Sequence, residues 1–412
     1  MGKGARARRL RRGQTPPPRG RVASPSPDAE RALDRPAAAT RVPWSSFWID
    51  HARAAVTLFA LALVVRASLL LEISRTPFFL VRNIDSEAYH EWAVRIAAGQ
   101  WMPTGAFYQS PFYAYYLALS SALFGVGSWG PRIPQVVLGS LSPVLIYAIG
   151  TRLFSPRVGW IAGVGLALYG PIILEEITFS KTTLLVVTSL AGFALYLWEA
   201  PRGRTVGMLA AGALFGVSVV GVGQWLLPFV ALVAWVPMMA DRLTPAARRR
   251  ATVAFAVGGL AIILPLVAWN SLKGGGLILT SGDAGLNFYN GNNERASGLP
   301  AKPMWLRDVP QYEEGDARVL AERAVGHRLT PAEVSRYWSG QALTWIARHP
   351  GDWLVLLGKK LLTVAPDYAH AYIALGRCAD AERVLTKVDR ARGLARPSRE
   401  TCALLDACSA RR

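Results

Sequence analysis

Residues 248–269 read RRRATVAFAVGGLAIILPLVAW. Three arginines lead into nineteen residues without a charge. As a helix, such a run rises roughly 28 Å, about the depth of a hydrocarbon core. Only a helix or a closed barrel satisfies its own backbone there. A basic flank before the run suits a segment held at the cytoplasmic side of a bilayer.

The pattern recurs outward from this stretch. Further apolar runs lie at about 54–73, 112–127, 133–150, 158–174, 182–198, 206–223 and 225–240, so the candidates number eight. They contain many Gly, Ala and Pro, which lipid-embedded helices tolerate. The 412 residues are 52% hydrophobic, with a mean hydropathy of +0.25. These features predict an all-α polytopic membrane protein. Arg66 interrupts the first run; a charge there is costly unless it snorkels, pairs or faces a polar cavity inside the bundle.

The net charge of +19 is uneven. Residues 1–43 hold eleven Lys/Arg against three acids, so this arm alone carries +8. Residues 1–45 lack large apolar side chains and read as a disordered cytoplasmic arm. The basic stretch is too long, and too far from an apolar segment, for a cleavable signal. Nucleic-acid binding is the rival reading of the arm, but no folded nucleic-acid module accompanies it. Basic clusters recur at Arg152/Arg157, Arg202/Arg204 and Arg242 with Arg248–Arg250. Placing them all in the cytoplasm puts 74–111, 175–181 and 271–352 outside. An odd number of crossings must then separate the first outside loop from Arg152, yet two runs lie between. The segment 112–127, with its aromatic start, is expected to be re-entrant or partly interfacial.

Within 74–111, SEAYHEWAVRIAAG reads as a short amphipathic helix with Ala88, Trp92 and Ile96 on one stripe and Glu91/Arg95 as an i,i+4 pair. Residues 353–364, WLVLLGKKLLTV, read as an interfacial helix. The expected domains are therefore a bundle over 46–270, an extracytoplasmic loop with this helix over 271–365, a repeat-like unit over 366–390 and a tail over 391–412. In the repeat-like unit Ala371, Leu375, Gly376, Ala379 and Ala381 resemble one tetratricopeptide helix pair. One unit cannot bury its face alone, so it packs on the bundle or meets a protein partner. Cys402 and Cys408, near the end, read as free thiols unless that end is oxidised.

Three polar patches fall on the outer face: NIDSEAYHEWA, EEITFSK and SGDAGLNFYNGNNERASG. Sugar transfer from a lipid phosphate needs a carboxylate to accept the nucleophile's proton. It needs positive groups for the departing phosphate. Asp85 with Glu175 or Glu176 suits the first role, and Lys181, Arg82 or Arg95 the second. Each has a structural alternative: Asp85 as a helix cap, the glutamates as solvated helix ends, Lys181 as an interfacial anchor, the Asn/Gly run as a turn.

At these residues the chain resembles the polytopic bacterial glycosyltransferases of the GT-C class related to protein O-mannosyltransferases (the family 39 type), most closely members with C-terminal tetratricopeptide repeats. The resemblance covers roughly 55–365 and rests on stretches such as DSEAYHEWAVRIAAGQW, LYGPIILEEITFSKTTL, LTSGDAGLNFYNGNNERASG and LTPAEVSRYW. It implies an outer-face cavity in the bacterial inner membrane with a polyprenyl-phosphate sugar as donor, membrane lipids around it and no resident cofactor, beyond a divalent cation that paired carboxylates are able to hold. By position it implies Asp85 as the acid near the acceptor, Glu175 or Glu176 as a second acid, and Lys181 as a basic partner. It adds Tyr89, Tyr108, Tyr113, Asn287, Asn292 and Asn293 to the substrate surroundings. The sequence departs from relatives at Ser86, at Gln109–Ser110, and at VVGVGQWLLP, where Gln224 stands in a stretch without arginine. A catalytically degenerate membrane scaffold is thus the alternative to an enzyme. A lipid-linked-sugar flippase is a third reading, weakened by the lack of a clear internal repeat.

Overall fold

The structure, a computed structural model, describes residues 44–76, 79–80, 84–125, 127–298 and 310–362. Among them the regular elements are all helical. The chain divides into two units, residues 1–50 and 51–412. In the first, the described element is the aromatic helix α1, Trp44–Asp50. The basic arm, Arg82, the tetratricopeptide-like segment and the tail with Cys402 and Cys408 lie outside the described residues.

The second unit begins with α2, Ala52–Ile73, a long apolar helix. The loop helix α3, Ile84–Ala97, packs on α4, Phe112–Phe124. Next come α5, Trp129–Gly139, and α6, Ser142–Leu153, which together form one 25-residue span. Helices α7, Pro156–Ala167, and α8, Gly170–Ile177, form a span bent by 48°. Pro171 sits in the first turn of α8, where a missing N–H costs nothing. Then follow α9, Thr182–Glu199, α10, Thr205–Gly221, α11, Leu226–Met239, and the 30-residue α12, Pro245–Gly274.

The eight expected spans are thus not all of one kind. Four helical segments, 52–73, 129–153, 182–202 and 245–274, are long and apolar enough to cross a membrane, with the bent α7–α8 pair a fifth. The other three, α4, α10 and 223–239, are 13 to 17 residues long. At 13 residues α4 rises about 20 Å, short of a 30 Å core, so it leaves the 129–153 segment as the long crossing between the first loop and Arg152.

Two ends of the bundle differ in chemistry. At one, Arg152 at the foot of α6 lies over the Trp198 ring at the foot of α9, 5.5 Å away, and an Arg248 Nη donates to the Asp241 carbonyl at 2.8 Å. The Arg202/Arg204 and Arg248–Arg250 clusters gather there with them. At the other end, Ser110 Oγ donates to the Val220 carbonyl at 2.7 Å, joining the start of α4 to the end of α10.

Arg66 meets a neighbour inside the bundle. It is fully buried, and Glu176 is 1% exposed. The guanidinium grips both carboxylate oxygens, at 2.5 and 3.2 Å, and donates also to the Ala167 carbonyl at 3.2 Å. A bidentate geometry of this kind is what makes a buried ion pair affordable. Gly139 makes room for it: a Cβ there would lie 2.4 Å from the Glu176 carboxyl carbon.

After α12 the chain forms α13, Ala284–Gly291, α14, Pro310–Val325, α15, Pro331–Arg348, and α16, Pro350–Leu362. Thr330 and Glu333 close a reciprocal capping box on α15. Leu286, Ala317 and Trp338 form a small apolar core joining α13, α14 and α15. The stripe of α3 is also rotated from expectation. Tyr89, Ala93 and Ile96 are buried, whereas Ala88 and the half-buried Trp92 line a cleft.

Candidate active site

Two loops and the approach to α9 build the site. Asn270, near the end of α12, is fully buried. Its carbonyl accepts from the Phe107 amide at 2.8 Å and its amide donates to the Thr280 carbonyl at 2.9 Å. The loops then bond directly: Gly282 and Asp283 amides donate to the Phe107 and Tyr108 carbonyls at 2.9 and 3.1 Å. Asp283 is thereby set beside Tyr108.

The segment 175–183 is fixed separately. Gln135 is buried, accepts from the Tyr113 hydroxyl at 2.9 Å, and donates to the Ser180 carbonyl at 3.1 Å and the Thr183 hydroxyl at 3.2 Å. Arg132 donates to the Ile177 carbonyl at 2.6 Å and lies between the Phe79 and Phe179 rings, 4.5 and 4.3 Å from their centroids. Ser86 Oγ reaches the Phe179 carbonyl at 3.2 Å and ties in the first turn of α3.

The charges of Asp283 and Asp85 act on Lys181, although among the described residues neither carboxylate forms an ion pair with it. Its Nζ stands 3.5 Å from the Tyr89 hydroxyl. Burial pulls the ammonium below its ordinary value, and Asp283 then Asp85 oppose that fall. Burial raises the Asp283 carboxyl, against the Ser281 hydroxyl bonded at 2.5 Å, Lys181 and the Asn287 side chain. The Tyr89 phenol is raised by burial, then by Asp85 and Asp283, and so stays a proton donor. Asp85 itself is exposed in the first turn of α3 and accepts no hydrogen bond from the described residues. The cap it was able to form is not made.

An open cleft of about 260 Å³ lies on Tyr108, whose carbonyl accepts from the Asp283 amide. Glu91, Trp92, Arg95, Phe107, Tyr108 and Glu314 contribute to its walls. Among the described residues Arg95 forms no ion pair, so the expected Glu91–Arg95 bridge is absent and both face the cleft. The Tyr108 hydroxyl is buried without a hydrogen-bond partner among the described residues. Burial, Glu313, Asp283 and Glu314 all raise its phenol.

Other residues singled out in the sequence take different places. Glu176 is occupied by Arg66. Glu175 is exposed on α8, and one of its oxygens accepts from the Thr182 hydroxyl at 3.1 Å. Tyr113 is fully buried in the core beside Tyr89. Asn292 and Asn293 are buried and hold the end of α13: their amides donate to the Phe288 and Tyr289 carbonyls at 2.9 and 2.8 Å. Asn292 also accepts from the Trp353 indole at 3.1 Å and from Lys360 at 3.3 Å. Asn287 supports Asp283. Asp283 and Asn270 are the site residues sequence reasoning passed over; the polar residue closing an apolar run, and the acid inside a turn-like SGDAG, were the signals available. No group of three or more His, Cys, Asp or Glu stands together as a metal site among the described residues.

No curated protein and no solved structure matches the chain. The family of dolichyl-phosphate-mannose-protein mannosyltransferases does: its model matches residues 108–269, from Tyr108 through Lys181 to the site end of α12.

Proposed function

We propose that this membrane protein is a glycosyltransferase that takes a sugar from a polyprenyl-phosphate donor and places it on a lipid, glycan or protein hydroxyl on the extracytoplasmic face. The electrostatic grouping of Lys181 with Asp283 and Asp85, and the cleft on Tyr108 next to Asp283, away from the arginine-rich end, carry this reading. The family match supports the lipid-phosphate donor, and the matched segment includes Lys181.

In the step, the acceptor oxygen bonds to the sugar's anomeric carbon while the bond from that carbon to the phosphate oxygen breaks. The phosphate leaves with the electron pair as polyprenyl phosphate. Asp85, open and unpaired, takes the acceptor proton. Lys181 meets the charge that develops on phosphate. The Asp283 charge favours the protonated form of Lys181, and the protonated Tyr89 hydroxyl offers a further donor. Glu176 supports the bundle and takes no part in this chemistry.

Membranes containing the full chain, supplied with polyprenyl-phosphate hexose, test this by release of polyprenyl phosphate and by labelled acceptor. Asp85→Asn is expected to lose ~10²–10⁴-fold in turnover at unchanged expression. Equal turnover in wild type and Asp85→Asn removes that role from Asp85. Absence of turnover with every donor favours the scaffold reading. Single cysteines at 85, 175 and 290 should label from outside in intact cells; labelling only after permeabilisation reverses the orientation.

A further inference from the structure

We infer that the arginine-rich end carries a binding site for an anionic membrane lipid, in the groove between α10 and α12. This inference is independent of the proposed reaction.

The two helices run parallel from this end with backbones in contact. A Cβ on Gly212 would lie 2.0 Å from the Phe255 carbonyl. Toward their starts they enclose a groove of about 420 Å³. Its lining is almost wholly apolar, with Leu209, Val253 and Val257 among its walls and Thr205 at its upper end. Arg249 and Arg250 also border it.

Both arginines are exposed, and neither forms a hydrogen bond or ion pair with a described residue. Asp241 is the exposed acid nearby in sequence, and Arg248 meets its backbone carbonyl rather than its carboxylate. The charge therefore stands uncompensated above an apolar channel. Below it, Val253, Val257, Leu260 and Leu264 continue one outward stripe of α12, exposed by 53, 49, 39 and 54%. An ordinary snorkelling arginine needs no groove beneath it. A forked cation pair over an acyl-sized slot matches a phosphate head joined to a fatty chain. A zwitterionic lipid brings its own cation beside the two arginines, and a soluble phosphate leaves the slot unfilled.

The test is lipid retention by the delipidated full chain in neutral detergent, read by native mass spectrometry. Phosphatidylglycerol and phosphatidylcholine of identical chains are added separately. Retention of phosphatidylglycerol is expected to exceed that of phosphatidylcholine at least tenfold and to fall with salt. The Arg249→Gln/Arg250→Gln protein is expected to lose that excess with unchanged melting temperature. Val253→Trp keeps both charges but fills the slot, and is expected to lose retention too. Glycerol phosphate, which has the head and no chain, should not displace the bound lipid. Equal retention of the two lipids, an unaltered excess in the double variant, or displacement by glycerol phosphate overturns the inference.

Discussion

Glu176 and Asp283 each carry a carboxylate that answers a cation on another part of the chain, and the structure treats them in opposite ways. Arg66 and Glu176 are sealed, bidentate, and supplied with further backbone acceptors. Lys181 forms no ion pair with a described residue: Asp283 and Asp85 act on its charge, and its contact to the Tyr89 hydroxyl is long. A pair whose valences are all satisfied holds helices together and has nothing left for a ligand. A cation in a looser arrangement keeps a donor free and a charge state within reach of its surroundings.

Separating the two pairs by mutation breaks or sharpens that contrast. Lys181→Met should lower transfer by ~10²–10³-fold while leaving thermal unfolding nearly unchanged. A fall in melting temperature matching that of Glu176→Gln would make Lys181 structural. Glu176→Gln should destabilise the fold by about 3–5 kcal/mol, because it strands a buried guanidinium. Turnover per folded molecule should stay near wild type, and Arg66→Met/Glu176→Leu should regain much of the stability. Gly139→Ala should cost about 1–3 kcal/mol by pressing a methyl into the same carboxylate. Denaturation in a fixed detergent measures all three.

The smallest expected effect is on pH. Asp283 must be ionised to favour the Lys181 ammonium, and burial raises its proton affinity, so the acid limb of transfer should lie above the ordinary aspartate range. Lys181 must be protonated and burial lowers its affinity, so the alkaline limb should lie below the ordinary lysine value. Lys181→Arg should push that alkaline limb upward, since guanidinium keeps its proton. A limb that stays put shows that another group titrates there.

Much of the fold was legible because apolar length and the positions of arginine are local signals. The runs at 54–73, 182–198 and 251–269 lie within long helices, and the doubtful 112–127 became the short α4. Asp85 and Lys181 were legible because each is a charged residue in a polar patch between apolar runs. Pairing was not. Arg66 finds Glu176 across 110 positions, and nothing around either residue distinguishes Glu176 from the exposed Glu175 one step earlier. Asp283 looked like part of a turn, and its value comes from backbone bonds to 107–108 on a distant loop. Asn292 and Asn293 drew attention because amides serve substrates and helix ends alike; both are buried and bond the end of α13.

Asn270 stands four positions before the close of a 30-residue helix whose other extremity holds Arg248–Arg250. That rod is roughly 45 Å long, so a lean of about 5° at its base displaces the amide by around 3 Å. Because one amide spaces both loops, bilayer depth is expected to act as a mechanical input to the candidate site. Transfer measured in vesicles of graded acyl length should peak at one thickness and decline on either side; a flat response means the rod does not lean.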